Sequence, residues 1–472
     1  MKETVSYPPP GMELRRDLSL FDLTNIVVGS IIGADIYVAS ALTAGLIGPF
    51  AIVVWIIAAV CATVLALVFA YCSYYLPRVG GPFAYVSEAF DDFFGFIAGW
   101  SLWIAEILSL PVFAIAFVLY LEFFIPLSPL QEILVKGLFL AALTLVNIIG
   151  VRAAGRVNDL LTMVKLVPLL ALVVVGLGTF ALGPGRFVAN YTPLAPLGFG
   201  NIGTALVLIF WAYVGFELGT FPASEVKDPK RNIPSAIISG MIIVTAFYLF
   251  TNFVVFGTVP WETLARSTTP LVLVGAALFG GAGAAFMTAG ALVSVSGSDE
   301  SGILGTARLS YAMAIDGLFP RVFSLIHPKY ETPYAALIIE GVIAFFLSLV
   351  AGISGLISFS VFNLAFSFLV TCLALTILSQ GKRDTLHGQK ILPWAGIAIC
   401  IYLLISTSFF DKLVGGLVIL AGIPIYVFFS PKTDIYHLKE LFVSENAIFV
   451  RRMARQRRFL ANLLRILHEI IS

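Results

Sequence analysis

The sequence predicts an all-α polytopic membrane protein with twelve transmembrane helices. Of its 472 residues, 59% are hydrophobic and 12% are charged, whereas a soluble domain is about half apolar and about a quarter charged. Apolar runs of about 20 residues, the length that crosses a bilayer, recur along the whole chain. Lysine and arginine are concentrated in alternate connections, as in other polytopic proteins. The net charge of +1 gives no indication of a nucleic-acid partner.

The twelve expected spans cover residues 21–46, 50–72, 93–125, 131–150, 158–182, 201–222, 235–257, 281–313, 332–352, 355–379, 391–409 and 412–430. Of the 28 lysines and arginines, the predicted outer connections hold only Lys136, Arg186, Arg266 and Lys412. Because positive charge stays on the cytosolic side, we expect a multi-pass protein of the plasma membrane with both termini in the cytoplasm.

The flanking segments and the polar residue types argue against other protein classes. Residues 1–19 form a polar cytosolic tail, and residues 431–472 form a basic tail with an amphipathic helix on the inner leaflet. The four cysteines fall in or beside apolar runs, so neither disulfides nor a metal site is expected. No histidine lies in a span and no nucleotide-binding loop occurs. We therefore expect no enzyme, no ATP-driven pump and no cofactor.

The first span carries the stretch VGSIIGADIY, residues 28–37. Gly29 and Gly33 each weaken a helix by roughly 1 kcal/mol relative to alanine, although the same spacing also lets two helices pack closely. Asp35 favours a break, because a carboxylate at mid-span costs roughly 2.5–3.5 kcal/mol. We expect the helix to unwind at Gly33 and restart, with Asp35 capping amides of the second half.

The sixth span carries a second interruption, in WAYVGFELG, residues 211–219. Gly215 and Glu217 lie within an apolar run, as Gly33 and Asp35 do in the first span. Two broken helices five spans apart are typical of transporters built from inverted repeats, in which half-helix ends face a site at the midplane. Because the halves show no letter-by-letter repeat, the predicted repeat depends on this spacing.

These motifs together resemble the amino acid–polyamine–organocation superfamily. The stretch GSIIGADIY is similar to the family's first-helix motif, and residues 76–90, 210–237 and 305–337 are similar to its loop and helix motifs. The resemblance covers about residues 15–430. It implies a five-plus-five core with discontinuous helices 1 and 6, in which residues 20–182 and 201–379 form the repeats and residues 391–430 lie outside. It also implies alternating access for amino acids or related amines.

The resemblance further implies the binding residues. The first break binds the substrate carboxylate at Ile31, Ile32, Gly33 and Ala34, and the second lines the amine and side-chain part with Phe210, Ala212, Tyr213 and Gly215. Lys165 matches a fifth-helix lysine that replaces the sodium ion in proton-coupled members, so protons are the favoured coupling ion. The alternative for Lys165 is a side chain that reaches the interface.

Several acids depart from the family pattern: Asp35 in the first span, Glu106 in the third, and Asp299 and Glu300 in the eighth. At about 5 Å from a substrate carboxylate, a second carboxylate is repelled by roughly 3 kcal/mol at an effective dielectric constant near 20. The acids are either neutralised by amides and Lys165, hydrated in a vestibule, or used to bind a cationic substrate. Our hypothesis is that Asp35, Asp299 or Glu300 pairs with Lys165.

The favoured function is secondary active, proton-coupled symport of an amino acid by alternating access. An exchanger, or a carrier of cationic amino acids or polyamines, is the alternative inside transport, and a nutrient sensor with the same site stays open. The expected partners are thus a small amino acid or amine, protons and the lipid bilayer.

Overall fold

The computed structural model describes residues 18–429, except positions 79, 150, 222, 224, 225, 381–385 and 387, and gives only the backbone of residues 151–159. Both predicted tails therefore lie almost wholly outside the described residues. At the start, Ser19 and Asp22 form a reciprocal capping box that begins the first helix. Leu18 pairs with Val226, and its carbonyl accepts a hydrogen bond of 3.0 Å from the Lys227 amide.

The described chain is helical, and we number the α-helices in order. They are α1 (Leu20–Ile31), α2 (Ala34–Ile47), α3 (Ala51–Tyr75), α4 (Pro82–Ala89), α5 (Asp92–Leu121), α6 (Pro129–Ile149), α7 (Val151–Leu182), α8 (Pro184–Asn190), α9 (Ile202–Ala212), α10 (Pro229–Thr258), α11 (Trp261–Ala265), α12 (Pro270–Ile315), α13 (Tyr334–Val350), α14 (Ile353–Leu378), α15 (Leu392–Ser406) and α16 (Phe409–Phe429). Short 3₁₀ helices cover Gly48–Phe50, Phe216–Thr220 and Arg321–Ser324.

Within this described part, nine helical segments are long and apolar enough to cross a membrane. The first of them, Leu20–Tyr75, contains the three helices α1, α2 and α3. Two further apolar helices, α13 and α15, are shorter, with 17 and 15 residues. The structure is therefore that of an all-helical polytopic membrane protein.

Several helix bounds differ from those predicted. Helix α10 begins at Pro229 instead of residue 235, because its first turn is polar and the apolar pattern marks only the lipid-embedded part. Helix α12 begins at Pro270 instead of residue 281 and is kinked at Gly280, which has a φ of 69°. The short connecting helices α4, α8 and α11 were not predicted, since they have no long apolar run.

Both predicted helix breaks are confirmed. Helix α1 ends at Ile31, and α2 begins at Ala34 after two non-helical residues, Ile32 and Gly33. Helix α9 ends at Ala212, and Gly215 has a φ of 122°, a conformation that favours glycine. The chain then continues in a five-residue 3₁₀ helix, not the α-helix of an uninterrupted span. A Cβ atom on Gly215 would lie only 3.0 Å from the Ser30 carbonyl carbon, so the two breaks touch.

The first break is surrounded by helices distant in sequence. Helix α1 packs against α7, α10, α12 and the 3₁₀ helix of the second break, while α2 packs against α9. A continuous apolar core joins these helices to α3, α5 and α14. The two breaks thus lie inside the helical bundle, where irregular backbone is covered by protein.

Candidate functional site

The break after Ile31 frees carbonyl groups that a continuous helix would use. The last four carbonyls of any helix lack intrahelical hydrogen-bond donors. Here, side chains from other helices donate to some of these carbonyls. The Tyr248 hydroxyl on α10 lies 2.8 Å from the Ile31 oxygen, and the Ser298 hydroxyl on α12 lies 2.8 Å from the Ile32 oxygen. Ser298 also lies 2.8 Å from the Gly29 oxygen.

Lys165 on α7 joins the same cluster of oxygens. Its side chain is fully buried, and Nζ donates to the Gly29 carbonyl at 2.5 Å and to Ser298 Oγ at 3.1 Å. Ser294 adds a hydroxyl 3.4 Å from the Ile32 carbonyl oxygen. An ammonium group therefore holds α1, α7 and α12 together at a point where neutral oxygens converge.

These contacts argue against the alternative in which Lys165 reaches the membrane interface. The side chain does not reach an interface, since none of it is exposed. Among the described contacts of its ammonium group, none is to a carboxylate, so the hypothetical ion pair with Asp35, Asp299 or Glu300 is absent from this conformation. Hydrogen bonds to a carbonyl and a hydroxyl take its place.

Asp35 is buried at the start of α2, with 3% of its surface exposed. Its Oδ1 accepts a hydrogen bond of 2.6 Å from the amide of Gly33, the residue before α2, whereas the sequence predicted capping of the amides within the second half-helix. Its Oδ2 contacts the Tyr248 hydroxyl. The amide at the centre of the break is thus occupied by the chain's own carboxylate.

A cavity of about 40 Å³ lies where the two breaks meet. It is lined by Ser30, Ile31, Asp35, Glu106, Ser109, Phe113, Trp211, Val214, Gly215, Glu217, Leu218, Ser298 and Gly302. This volume holds a few water molecules, since one water needs roughly 10–15 Å³ by this measure. A larger solute requires the surrounding helices to move apart.

The predicted site residues divide into two groups. Four of them line the cavity: Ile31, Gly215, Asp35 and Glu106. The other backbone candidates are buried beside the breaks without lining it: Ile32, Gly33, Ala34, Phe210, Ala212 and Tyr213. Asp299 and Glu300 are buried on α12 and do not line it either.

Glu217 was not predicted as a site residue, yet it lines the cavity and is fully buried. Its Oε2 accepts a hydrogen bond of 3.1 Å from the Gly215 amide, as Asp35 does from Gly33. Each break thus has a glycine followed two residues later by an acid that caps the glycine amide. This shared Gly-x-acid spacing is visible in the sequence and could have identified Glu217 as a site residue.

Two carboxyl groups in the cavity have free acceptor atoms. Glu106 on α5 lies beside Glu217, close enough for the two carboxyl groups to share a hydrogen bond when one of them is protonated. Glu106 Oε1 and Glu217 Oε1 are buried and have no hydrogen-bond partner in the described structure. Neighbouring carboxylates repel each other unless a proton or a cation lies between them.

Aromatic side chains enclose this part of the protein. Phe113 and Trp211 line the cavity with their ring centroids 5.8 Å apart, and Trp211 Nε1 donates to Ser109 Oγ at 3.0 Å. Farther away, the rings of Trp55, Tyr213 and Tyr248 contact one another at 5.2–5.8 Å. Tyr248 therefore contacts the rings of Trp55 and Tyr213 as well as the carboxylate of Asp35.

Comparison with known proteins agrees with this arrangement. A family model described as "Amino acid permease" matches residues 18–429, the same range that the structure describes. The chain belongs to the amino acid permease family. The resemblance to the amino acid–polyamine–organocation superfamily is therefore confirmed. The permease has relatives that are transporters and not enzymes.

Three curated relatives cover most of the permease. The branched-chain amino acid permease BcaP of Bacillus subtilis is 26% identical over 89% of this chain and 94% of its own length. The serine/threonine exchanger SteT of the same organism is 27% identical over 88% of this chain and 96% of its own. An uncharacterised transporter of Mycobacterium tuberculosis is 30% identical over 88% of this chain and 91% of its own.

A solved structure shares the fold of the permease. The crystal structure of MhsT in complex with L-phenylalanine superposes with a TM-score of 0.60. It covers 87% of this chain and 100% of its own, at 14% sequence identity. At this identity the likeness concerns the arrangement of the helices alone.

Proposed function

We propose that the permease is a secondary active transporter of an amino acid or related amine, coupled to protons by alternating access. The solute contacts the two helix breaks around the central cavity. The contacts are at Ile31–Ala34 on the first break and at Phe210, Ala212, Tyr213 and Gly215 on the second. Lys165 carries the coupling proton. The family of the permease and the fold that it shares with MhsT support a transport function. The choice of protons as the coupling ion is a proposal from the contacts of Lys165.

The position of Lys165 is the observation that carries the proposal. Its ammonium group is buried against the Gly29 carbonyl and Ser298, and Ser298 also contacts the Ile32 carbonyl just after α1. A lysine that loses its proton there removes one positive charge from inside the protein, so protonation and helix packing are linked. A protonated lysine at this point already contacts the oxygens that a sodium ion would need, and it would repel the ion.

The proposal includes the membrane arrangement predicted from the sequence. The chain crosses twelve times, with residues 20–182 and 201–379 as inverted repeats and residues 391–430 as two additional helices. The matching Gly-x-acid caps of the two breaks support the repeat. The scarcity of lysine and arginine in the outer connections supports a plasma-membrane protein with residues 1–19 and 431–472 in the cytosol.

An exchanger is the second candidate, because the relative SteT is a serine/threonine exchanger. Exchange and symport differ in what returns the empty carrier. A symporter returns empty after releasing its proton, whereas an exchanger returns only with a second solute bound. The same site serves both, so a flux measurement separates them.

The test is uptake into proteoliposomes containing the purified full chain, with a panel of radiolabelled amino acids and amines. Symport predicts accumulation that requires an inward proton gradient and that an ionophore abolishes. Accumulation that requires internal solute and ignores the gradient means exchange. Binding without flux under both conditions means that the protein is a sensor and overturns the proposal. A sodium gradient that drives uptake at constant pH overturns the assignment of Lys165.

A further inference from the structure

The acids of the central cavity restrict which solutes it binds. Asp35, Glu106 and Glu217 line the cavity, and no lining residue in the described structure is basic. Lys165 lies behind Ser298, with its ammonium group on the Gly29 carbonyl. The excess of carboxyl groups over cations in this buried region favours a solute with positive charge.

At each break, the glycine amide that an anion could bind is already occupied. The Gly33 amide donates to Asp35, and the Gly215 amide donates to Glu217. Asp35 is held in place from its other side by Tyr248. The carboxylate of an amino acid would have to displace Asp35 or lie beside it, and both arrangements place like charges together.

The cavity nevertheless has acceptors that a cation would satisfy. Glu106 Oε1 and Glu217 Oε1 are buried without a hydrogen-bond partner, and a buried carboxylate oxygen without a partner is unfavourable. An ammonium group has up to three donors and fits between such oxygens. The rings of Phe113 and Trp211 in the same cavity attract a cation through their faces.

We propose that the central cavity binds an organic amine without a carboxylate, and that Asp35 occupies the place where an amino acid would put its carboxylate. The ammonium group lies against Glu106 and Glu217, and a second amine lies near Asp35. This inference rests on the proposed transport function, for which it names the substrate class.

The test compares solutes that differ only by the α-carboxylate: putrescine with ornithine, cadaverine with lysine, and agmatine with arginine. Affinities for the purified full chain come from the concentration dependence of its thermal stability, because a solute bound only by the folded state raises the melting temperature. We expect each amine to bind at least about tenfold more tightly than its amino acid, a difference of roughly 1.4 kcal/mol.

Two variants at one position separate charge from occupancy. Asp35→Asn retains an oxygen that accepts from Gly33 but removes the charge, so amine binding weakens and amino acid binding does not improve. Asp35→Ser vacates the amide, so ornithine binding improves by about tenfold or more relative to putrescine. Glu340→Gln is the matched control, because Glu340 is a buried acid held by Trp103 and Ser310 outside the cavity.

The outcomes for this inference and for the transport function are distinct. Equal or tighter binding of the amino acids to the wild-type protein overturns the amine proposal, even where no variant folds, and leaves transport intact. If Asp35→Ser binds putrescine and ornithine with the wild-type preference, Asp35 does not exclude the carboxylate of the solute. If no solute of either set binds and proteoliposomes accumulate none, the proposed transport function itself fails.

Discussion

Replacing Lys165 with methionine removes the ammonium group and retains most of the buried stem. The wild-type Nζ makes two hydrogen bonds, of 2.5 Å to the Gly29 carbonyl and 3.1 Å to Ser298 Oγ. A hydrogen bond to a charged group contributes about 1.5–3 kcal/mol. Since Ser298 still reaches the Gly29 oxygen at 2.8 Å, we expect the loss to be nearer to one such bond than to two. The variant should therefore fold.

The functional effect of Lys165→Met should be much larger than its effect on stability. With one proton per solute, a gradient of one pH unit supplies about 1.4 kcal/mol, which is about tenfold accumulation. Without a group that carries the proton, Lys165→Met should equilibrate solute across the membrane and not concentrate it. The assay is the steady-state ratio of internal to external solute in proteoliposomes with an imposed pH gradient.

Lys412→Met is the matched control, because it removes a lysine from α16, the last described helix, far from the oxygen cluster in sequence. It should accumulate solute as the wild type does. Gradient-driven accumulation by Lys165→Met at the wild-type ratio would refute the reasoning, since the proton would then travel through another group. Loss of accumulation in both variants would point to a general defect of reconstitution.

Three further substitutions test the packing around the site. Gly33→Ala would place a methyl group 2.7 Å from Ser298 Oγ, so we expect about 1–3 kcal/mol of destabilisation, measured by thermal melting, together with loss of uptake. Tyr248→Phe removes the hydroxyl that contacts Asp35, which should cost about 1–3 kcal/mol and reduce solute affinity in the same melting assay. Arg78→Ala breaks an exposed ion pair and should change stability by at most about 1 kcal/mol with normal uptake, so a large loss there would mean that the loop has a role in transport.

The sequence predicts the helices well because their signals are local. An apolar run marks the lipid-embedded part of a helix, and a glycine near an acid marks a break, as at Gly33 and Asp35. The same signals miss α4, α8 and α11, which lie in connections and have no long apolar run. They also miss the polar first turn of α10, because this turn lies before the apolar part of the helix.

The site is less predictable because its contacts join residues far apart in the chain. Lys165 is recognisable as a buried charge, but its partners lie 136 and 133 residues away. The sequence suggested an acidic partner for Lys165, whereas in the structure its ammonium group donates to the Gly29 carbonyl that the break frees. Glu217 has the same spacing from its glycine as Asp35, yet its position beside Glu106 on α5 follows only from the tertiary packing.

The break in the first helix makes the oxygen cluster and the cavity parts of one structure. Unwinding at Gly33 frees the Gly29, Ile31 and Ile32 carbonyls, and their partners come from three other helices, α7, α10 and α12. Any rearrangement that moves α7 or α12 away from α1 must give up these hydrogen bonds, and any change in the charge of Lys165 changes their strength. The central cavity lies against the same break, with Ile31 and Ser298 in its wall. In the proposed transport function, solute binding and protonation of Lys165 would act on the same few contacts, which is sufficient to link them without a long pathway through the protein.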